Sequence, residues 1–181
     1  MAIKLKVGDR APEFQATAIG GKYGAGQEVK LSDFRGKRVI LYFYPKDNTP
    51  GCTTQACGLR DAWEELKGNA QIFGVSVDSI ASHQKFIDKF RLPFPLLSDS
   101  DKTLVTSYGV WVKKNFLGKK YMGTKRTTFV IDPEGHIEKI FRKVKPNEHV
   151  DLLRQSISHE NSCEEKSDPE RKPKRDRTLK K

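Results

Sequence analysis

The sequence predicts an α/β fold in which a mixed β-sheet is flanked by helices, and three observations predict it. VILYFY at Val39–Tyr44 and QIFGVSV at Gln71–Val77 are unbroken apolar runs, the composition of strands covered on both faces. Segments with helical spacing of apolar residues alternate with them. Near the end, Thr127–Asp132 and His136–Arg142 form a hairpin joined by Asp132, Pro133, Glu134 and Gly135, since Pro second and Gly fourth suit a type I turn.

Taken in order, residues 1–37 read as short extended pieces and turns, with a plain loop at Gly20–Gly26. No GK[ST] follows those glycines, so they do not make a phosphate loop. After the first buried strand, a loop rich in Pro, Asn and Gly leads into a helix opening at Cys52, whose Ala56, Leu59, Trp63 and Leu66 form one apolar stripe. Gly58 inside that helix costs about 1 kcal/mol relative to Ala. A second helix spans Ser79–Arg91 and buries Phe86, Ile87 and Phe90; Leu96 and Leu97 mark a short strand, and Asp101–Tyr108 a short helix. The stretch VWVKKNFLGKKYMG at 110–123 has no single periodicity and is left unassigned. A closing helix starts near Pro146 or Asn147 and buries Val150, Leu153 and Ile157. One domain over 1–159 and a charged, disordered tail over 160–181 complete the plan.

The formal net charge is +11, and from Arg171 onward seven Lys or Arg stand against the single acid Asp176. Such a tail is expected to be a solvated extension, with weak nucleic-acid or membrane-surface contact as the alternative reading. No aromatic residues interleave it, so base stacking is not indicated. Three cysteines are an odd count, which argues against a disulfide-stapled secreted framework. No signal peptide or membrane-spanning stretch is visible, and a cytoplasmic protein with no membrane partner is expected. His83, His136, His149 and His159 show no metal-ligand spacing; His83 belongs on a helix face and the other three at exposed positions.

The chemistry concentrates at Cys52. Unsatisfied N–H groups and the positive end of the helix dipole stabilise a thiolate at a helix N-terminus. Pro45, Thr49 and Cys52 give the spacing PxxxTxxC, within TPGCTTQACGLRD. With VGDRAPEF at Val7 and KRTTFVIDPEG at Lys125, the sequence resembles the peroxiredoxins, in the bacterioferritin comigratory protein or peroxiredoxin Q branch, over about residues 4 to 158.

That resemblance implies a thioredoxin-like fold, thiol peroxidase activity, and no metal or organic cofactor. It implies that Cys52 attacks the peroxide and becomes a sulfenic acid. Thr49, the backbone near Gly51 and Cys52, and Arg126 then stabilise the leaving oxygen, and Pro45 packs over the thiolate. Singly, Thr49 reads as a turn residue, Pro45 as a strand terminator and Arg126 as a solvated edge cation; jointly, in this order, they read as a site. Cys57 is implied as the resolving thiol of an intramolecular disulfide, which thioredoxin or a similar dithiol reduces; a small core residue is the alternative. In an intact helix, residues five apart have Cα atoms roughly 8 to 9 Å from one another. A disulfide spans at most about 7 Å, so the helix must unwind.

Cys163, in the tail, reads as an incidental exposed thiol. The branch implies a monomer. It usually carries an acid after the Trp equivalent to Trp111, where this chain has Val112, Lys113 and Lys114. A thioredoxin-type disulfide oxidoreductase is disfavoured, because CxxxxC stands where CxxC is usual.

Overall fold

The computed structural model describes residues 4–157. Seven strands form one sheet in the order β2-β1-β5-β4-β3-β8-β9. They are β1 (Gln15–Ile19), β2 (Gln27–Lys30), β3 (Val39–Phe43), β4 (Gln71–Ser76), β5 (Leu96–Ser98), β8 (Thr127–Ile131) and β9 (Ile137–Arg142). The β3–β4 and β4–β5 pairs are parallel and all others antiparallel, so the sheet is mixed, as expected. Among the described residues five α-helices accompany it: α1 (Pro50–Asp61), α2 (Trp63–Leu66), α3 (Ile80–Phe90), α4 (Thr103–Ser107) and α5 (His149–Ile157).

Strand β3 is the middle of the core. Its five residues are all buried and alternate between two apolar layers. Val39, Leu41 and Phe43 join Phe73, Val75, Leu104 and Phe129 on one face; Ile40 and Tyr42 join Leu59, Phe86, Leu96 and Leu153 on the other. The period-2 geometry of a strand makes this division, and burial on both faces explains why the sequence reads as a continuous apolar run.

Several expectations are met in detail. Ser79 caps α3, its side chain accepting from Ser82 N at 3.2 Å, and Arg91 ends it in a left-handed conformation. The turn at 132–135 closes with Gly135 N donating to Asp132 O at 3.0 Å. Other expectations need correction. The helix from Cys52 does not run through Leu66: Ala62, at φ −96° and ψ 5°, divides it into α1 and α2. The break lets Trp63 lie against Phe94, with ring centroids 5.7 Å apart, so the expected stripe is shared by two helices. The unassigned stretch is a hairpin, β6 (Trp111–Phe116) and β7 (Lys119–Thr124), which forms a separate two-stranded sheet. Leu117 and Gly118 turn it with φ of 49° and 77°, the positive values of a type I′ loop. His149 is fully buried rather than exposed, because α5 turns it against Tyr42 and Thr128. Cys163, His159 and the tail lie outside the described residues. Among the described residues no helix is long and apolar enough to cross a membrane.

Candidate active site

Two central strands deliver the site. β3 ends at Phe43 and feeds the loop carrying Pro45 and Thr49 into α1. β8 starts at Thr127, directly opposite Phe43 in the antiparallel register, so the residue before it, Arg126, emerges beside that loop. Arg126 Nη2 donates to Cys52 Sγ at 3.3 Å. Its other terminal nitrogen, Nη1, donates to Gln55 Oε1, which holds the guanidinium in a fixed orientation.

Cys52 is the third residue of α1, after Pro50 and Gly51, and is 3 % exposed. Thr49 is the N-cap, in extended geometry, but its side chain makes no capping bond. Its hydroxyl instead donates to Lys46 O at 2.9 Å. The N–H groups of Gly51 and Cys52 have no intrahelical partner by helix geometry, so they add positive potential around the sulfur. Gly51 also makes room: a Cβ there would stand 3.2 Å from Arg126 Nη2 and 3.4 Å from Pro146. Pro45 is half-buried in the first turn of the loop.

Cys57 lies one and a half turns further along α1, half-buried, and both thiols are free. The structure therefore brings Cys52, Gly51 and Arg126 together, places Thr49 at the mouth of the helix, and keeps Cys57 apart from Cys52 along an intact helix.

Sequence reasoning missed three contributors. Gln55 is fully buried one turn from Cys52, and its Nε2 has no partner among the described residues. A polar residue on the face that also carries Cys52, Ala56 and Leu59 was the available signal. Asp47 pins the loop from below, accepting from Tyr44 Oη at 2.6 Å and Ser82 Oγ at 2.8 Å and facing His83 Nδ1 at 2.8 Å. The other nitrogen of His83 faces Leu97 O at 3.1 Å, so this histidine has the structural place on a helix face that was expected.

Lys114 is the third. It reaches back from β6 to donate to Thr124 O at 2.6 Å. Burial and the neighbouring Arg126 push its ammonium below the usual lysine range, while Cys52 pulls it up. Behind the sulfur lies a buried polar layer. Burial, with Cys52 and Asp47 adding to it, raises the Tyr42 phenol well above its ordinary value. Burial and then Arg126 push His149 down to about 3, a neutral imidazole whose Nε2 lies 3.1 Å from Thr128 Oγ1. Among the described residues no group of three or more His, Cys, Asp or Glu could hold a metal ion.

A match to the AhpC/TSA family spans residues 7–140, which contain every part of this arrangement except Pro146 and α5. The chain belongs to the AhpC/TSA family of peroxiredoxins. Among curated proteins this peroxiredoxin is 50% identical over 149 residues to the putative peroxiredoxin Bcp of Coxiella burnetii, covering 82% of this chain and 95% of that one. It is 49% identical over 148 residues to peroxiredoxin Bcp of Bacillus subtilis, covering 81% and 90%. Among solved structures, Xanthomonas campestris peroxiredoxin Q superposes with a TM-score of 0.73 at 36% identity, covering 81% and 90%. A Cys-to-Ser variant of Xylella fastidiosa peroxiredoxin Q does so with a TM-score of 0.78 at 31% identity, covering 87% and 98%. The peroxiredoxin is thus of the Bcp/peroxiredoxin Q branch, with a thioredoxin-like fold and thiol peroxidase activity.

Proposed function

We propose that Cys52 is the peroxidatic thiol and Cys57 the resolving one. The observation that carries this reading is the 3.3 Å hydrogen bond from Arg126 to Cys52 Sγ at the start of a helix. In the first step the Cys52 thiolate attacks one peroxide oxygen; an S–O bond forms, the O–O bond breaks, and the leaving alkoxide or hydroxide takes a proton from water. The product on the enzyme is a sulfenic acid. Arg126 and the Gly51 and Cys52 N–H groups face the charge that develops on the departing oxygen. Thr49 commits its proton to Lys46 O, so its oxygen offers a lone pair to the peroxide's own O–H and orients it for in-line attack. Pro45 shields the sulfur from water. In the second step the Cys57 thiolate displaces hydroxide from the Cys52 sulfenic acid, which leaves as water after protonation, and an external dithiol reduces the disulfide.

Hydrogen peroxide and organic hydroperoxides are the proposed substrates. A solved structure of the Xanthomonas campestris bacterioferritin comigratory protein, 35% identical with a TM-score of 0.73, concerns that protein's alkyl peroxide reduction. Thioredoxin or a similar dithiol protein is the proposed reductant, acting on a cytoplasmic monomer. The test is peptide mapping after one equivalent of peroxide, with turnover of Cys52→Ser measured alongside. A Cys52–Cys57 bond and a dead variant are expected. A Cys52→Ser enzyme that still consumes peroxide would overturn the assignment of Cys52, and a sulfenate that persists without the bond would overturn that of Cys57.

A further inference from the structure

The β6–β7 hairpin carries most of the exposed large hydrophobic side chains of the described residues. Six such side chains are exposed among the described residues, and four belong to this hairpin: Phe116 at 65 %, Leu117 at 86 %, Tyr121 at 50 % and Met122 at 43 %. The hairpin pairs only with itself, outside the seven-stranded sheet. Its charge is equally one-sided. Lys113, Lys114, Lys119, Lys120 and Lys125 fall within 111–125, and no Asp or Glu occurs anywhere from 102 to 131. Lys113, Lys119 and Lys120 are exposed on the two strands below the tip.

We propose that this hairpin is a peripheral docking element for an anionic lipid surface. Phe116 and Leu117 at the turn enter the headgroup region while the flanking lysines meet lipid phosphates. The chemistry is that of interfacial segments, in which buried apolar area and attraction to anionic lipid act together. The shape selects the bilayer over a protein partner. A stable protein interface takes about 800 Å² from each side, and a convex tip led by two side chains does not offer a face of that size; a deformable surface needs none. It also selects against single-stranded nucleic acid, where the leading residues would be aromatics stacking on bases, because the most exposed large hydrophobic residue here is Leu117. The hairpin's root is the Trp111–Thr124 pair, two residues before Arg126, so docking would bring the cysteine site within about 20 Å of the membrane, the length of a six-residue strand.

The test uses the full chain and vesicles of equal parts phosphatidylglycerol and phosphatidylcholine at low salt. Replacing both tip residues, Phe116→Ser with Leu117→Ser, keeps every charge and touches none of the catalytic groups. The proposal expects its co-sedimentation to fall about tenfold, from the apolar area lost, with hydrogen peroxide turnover unchanged. It also expects the emission of a Leu117→Trp variant to shift to the blue on vesicles and to be quenched by bromine carried on the acyl chains. Wild type and double variant sedimenting equally would overturn it and assign the binding to the basic C-terminal segment. So would failure to bind, a raised KM for the protein reductant in the double variant, or hairpin-dependent retention on single-stranded DNA without vesicle binding.

Discussion

Gly51 faces Arg126 so closely that a Cβ on its backbone would stand 3.2 Å from Nη2, the same nitrogen that donates to Cys52 Sγ at 3.3 Å. A methyl group there also meets Pro146, so the guanidinium is the part that must give way. Gly51→Ala is expected to lower the second-order rate of Cys52 oxidation by about tenfold, the scale of one weakened charge-stabilising contact. The change should leave Cys57-dependent disulfide formation as it was. Stopped-flow tryptophan fluorescence separates the two steps.

Arg126→Lys keeps the charge and removes the fork that joins Cys52 to Gln55. A drop of about a hundredfold in peroxide kcat/KM is expected, since an ammonium cannot bridge both partners in a fixed plane. Gln55→Leu should give a smaller loss, on the order of tenfold, because Arg126 remains but is free to turn. Equal rates in all three proteins would remove Arg126 from the mechanism.

Gly58→Ala tests the unwinding of α1. The added methyl would lie 3.4 Å from Val150, an ordinary contact, so the folded helix accepts it. Helix propensity then favours the wound form by about 1 kcal/mol, and disulfide formation after the first oxidation is expected to slow by about fivefold. Cys57→Ser should abolish the disulfide and leave a Cys52 sulfenate detectable by dimedone labelling.

His149 makes acid stability predictable. Its folded value of about 3 lies below the ordinary 6.5, so the unfolded chain takes up the proton first. Stability from this group is whole above about pH 6.5 and is lost as pH falls toward 3, a change on the order of a few kcal/mol. Asp99 acts oppositely: burial raises it to about 6 despite two backbone N–H bonds, so acidification from 6 toward 3.8 stabilises. Urea midpoints for wild type and His149→Gln isolate the first effect. The variant should lose less stability between neutral and mildly acid pH.

Gly74 sits where β4 passes the Tyr42 ring, and a Cβ would come within 2.6 Å of that ring and 2.7 Å of Leu96. Gly74→Ala is expected to cost about 1 to 3 kcal/mol by overpacking, read from the urea midpoint.

The parts legible in the sequence are those where one local rule governs. β3 and β4 announce themselves because burial on both faces leaves only apolar residues, and the turn at 132–135 because Pro and Gly stand where its dihedrals require them. The PxxxTxxC spacing places Cys52 at a helix start by chain order alone. What was hidden depends on contacts distant in sequence. The β6–β7 hairpin escaped because lysines and aromatics occupy both of its faces, and its turn uses Leu117 where Asn or Asp is usual. The division at Ala62 answers to Phe94, thirty-two residues away. His149 is polar by type and buried by position, and nothing short of α5 docking on β3 and β8 reveals that. Gln55 was readable in part, as an amide on an apolar face, but its partner Arg126 is 71 residues on.

If Cys57 resolves Cys52 as proposed, an intact α1 between them is also a delay line. Until the helix lets go, the sulfenic acid would wait unresolved, and a second oxidant molecule arriving in that interval would carry it to the sulfinic state, from which simple thiols offer no return. The firmness of twelve residues of helix thus sets a ceiling on the oxidant dose each molecule survives: a looser α1 would make a sturdier catalyst, and a tighter one a fuse.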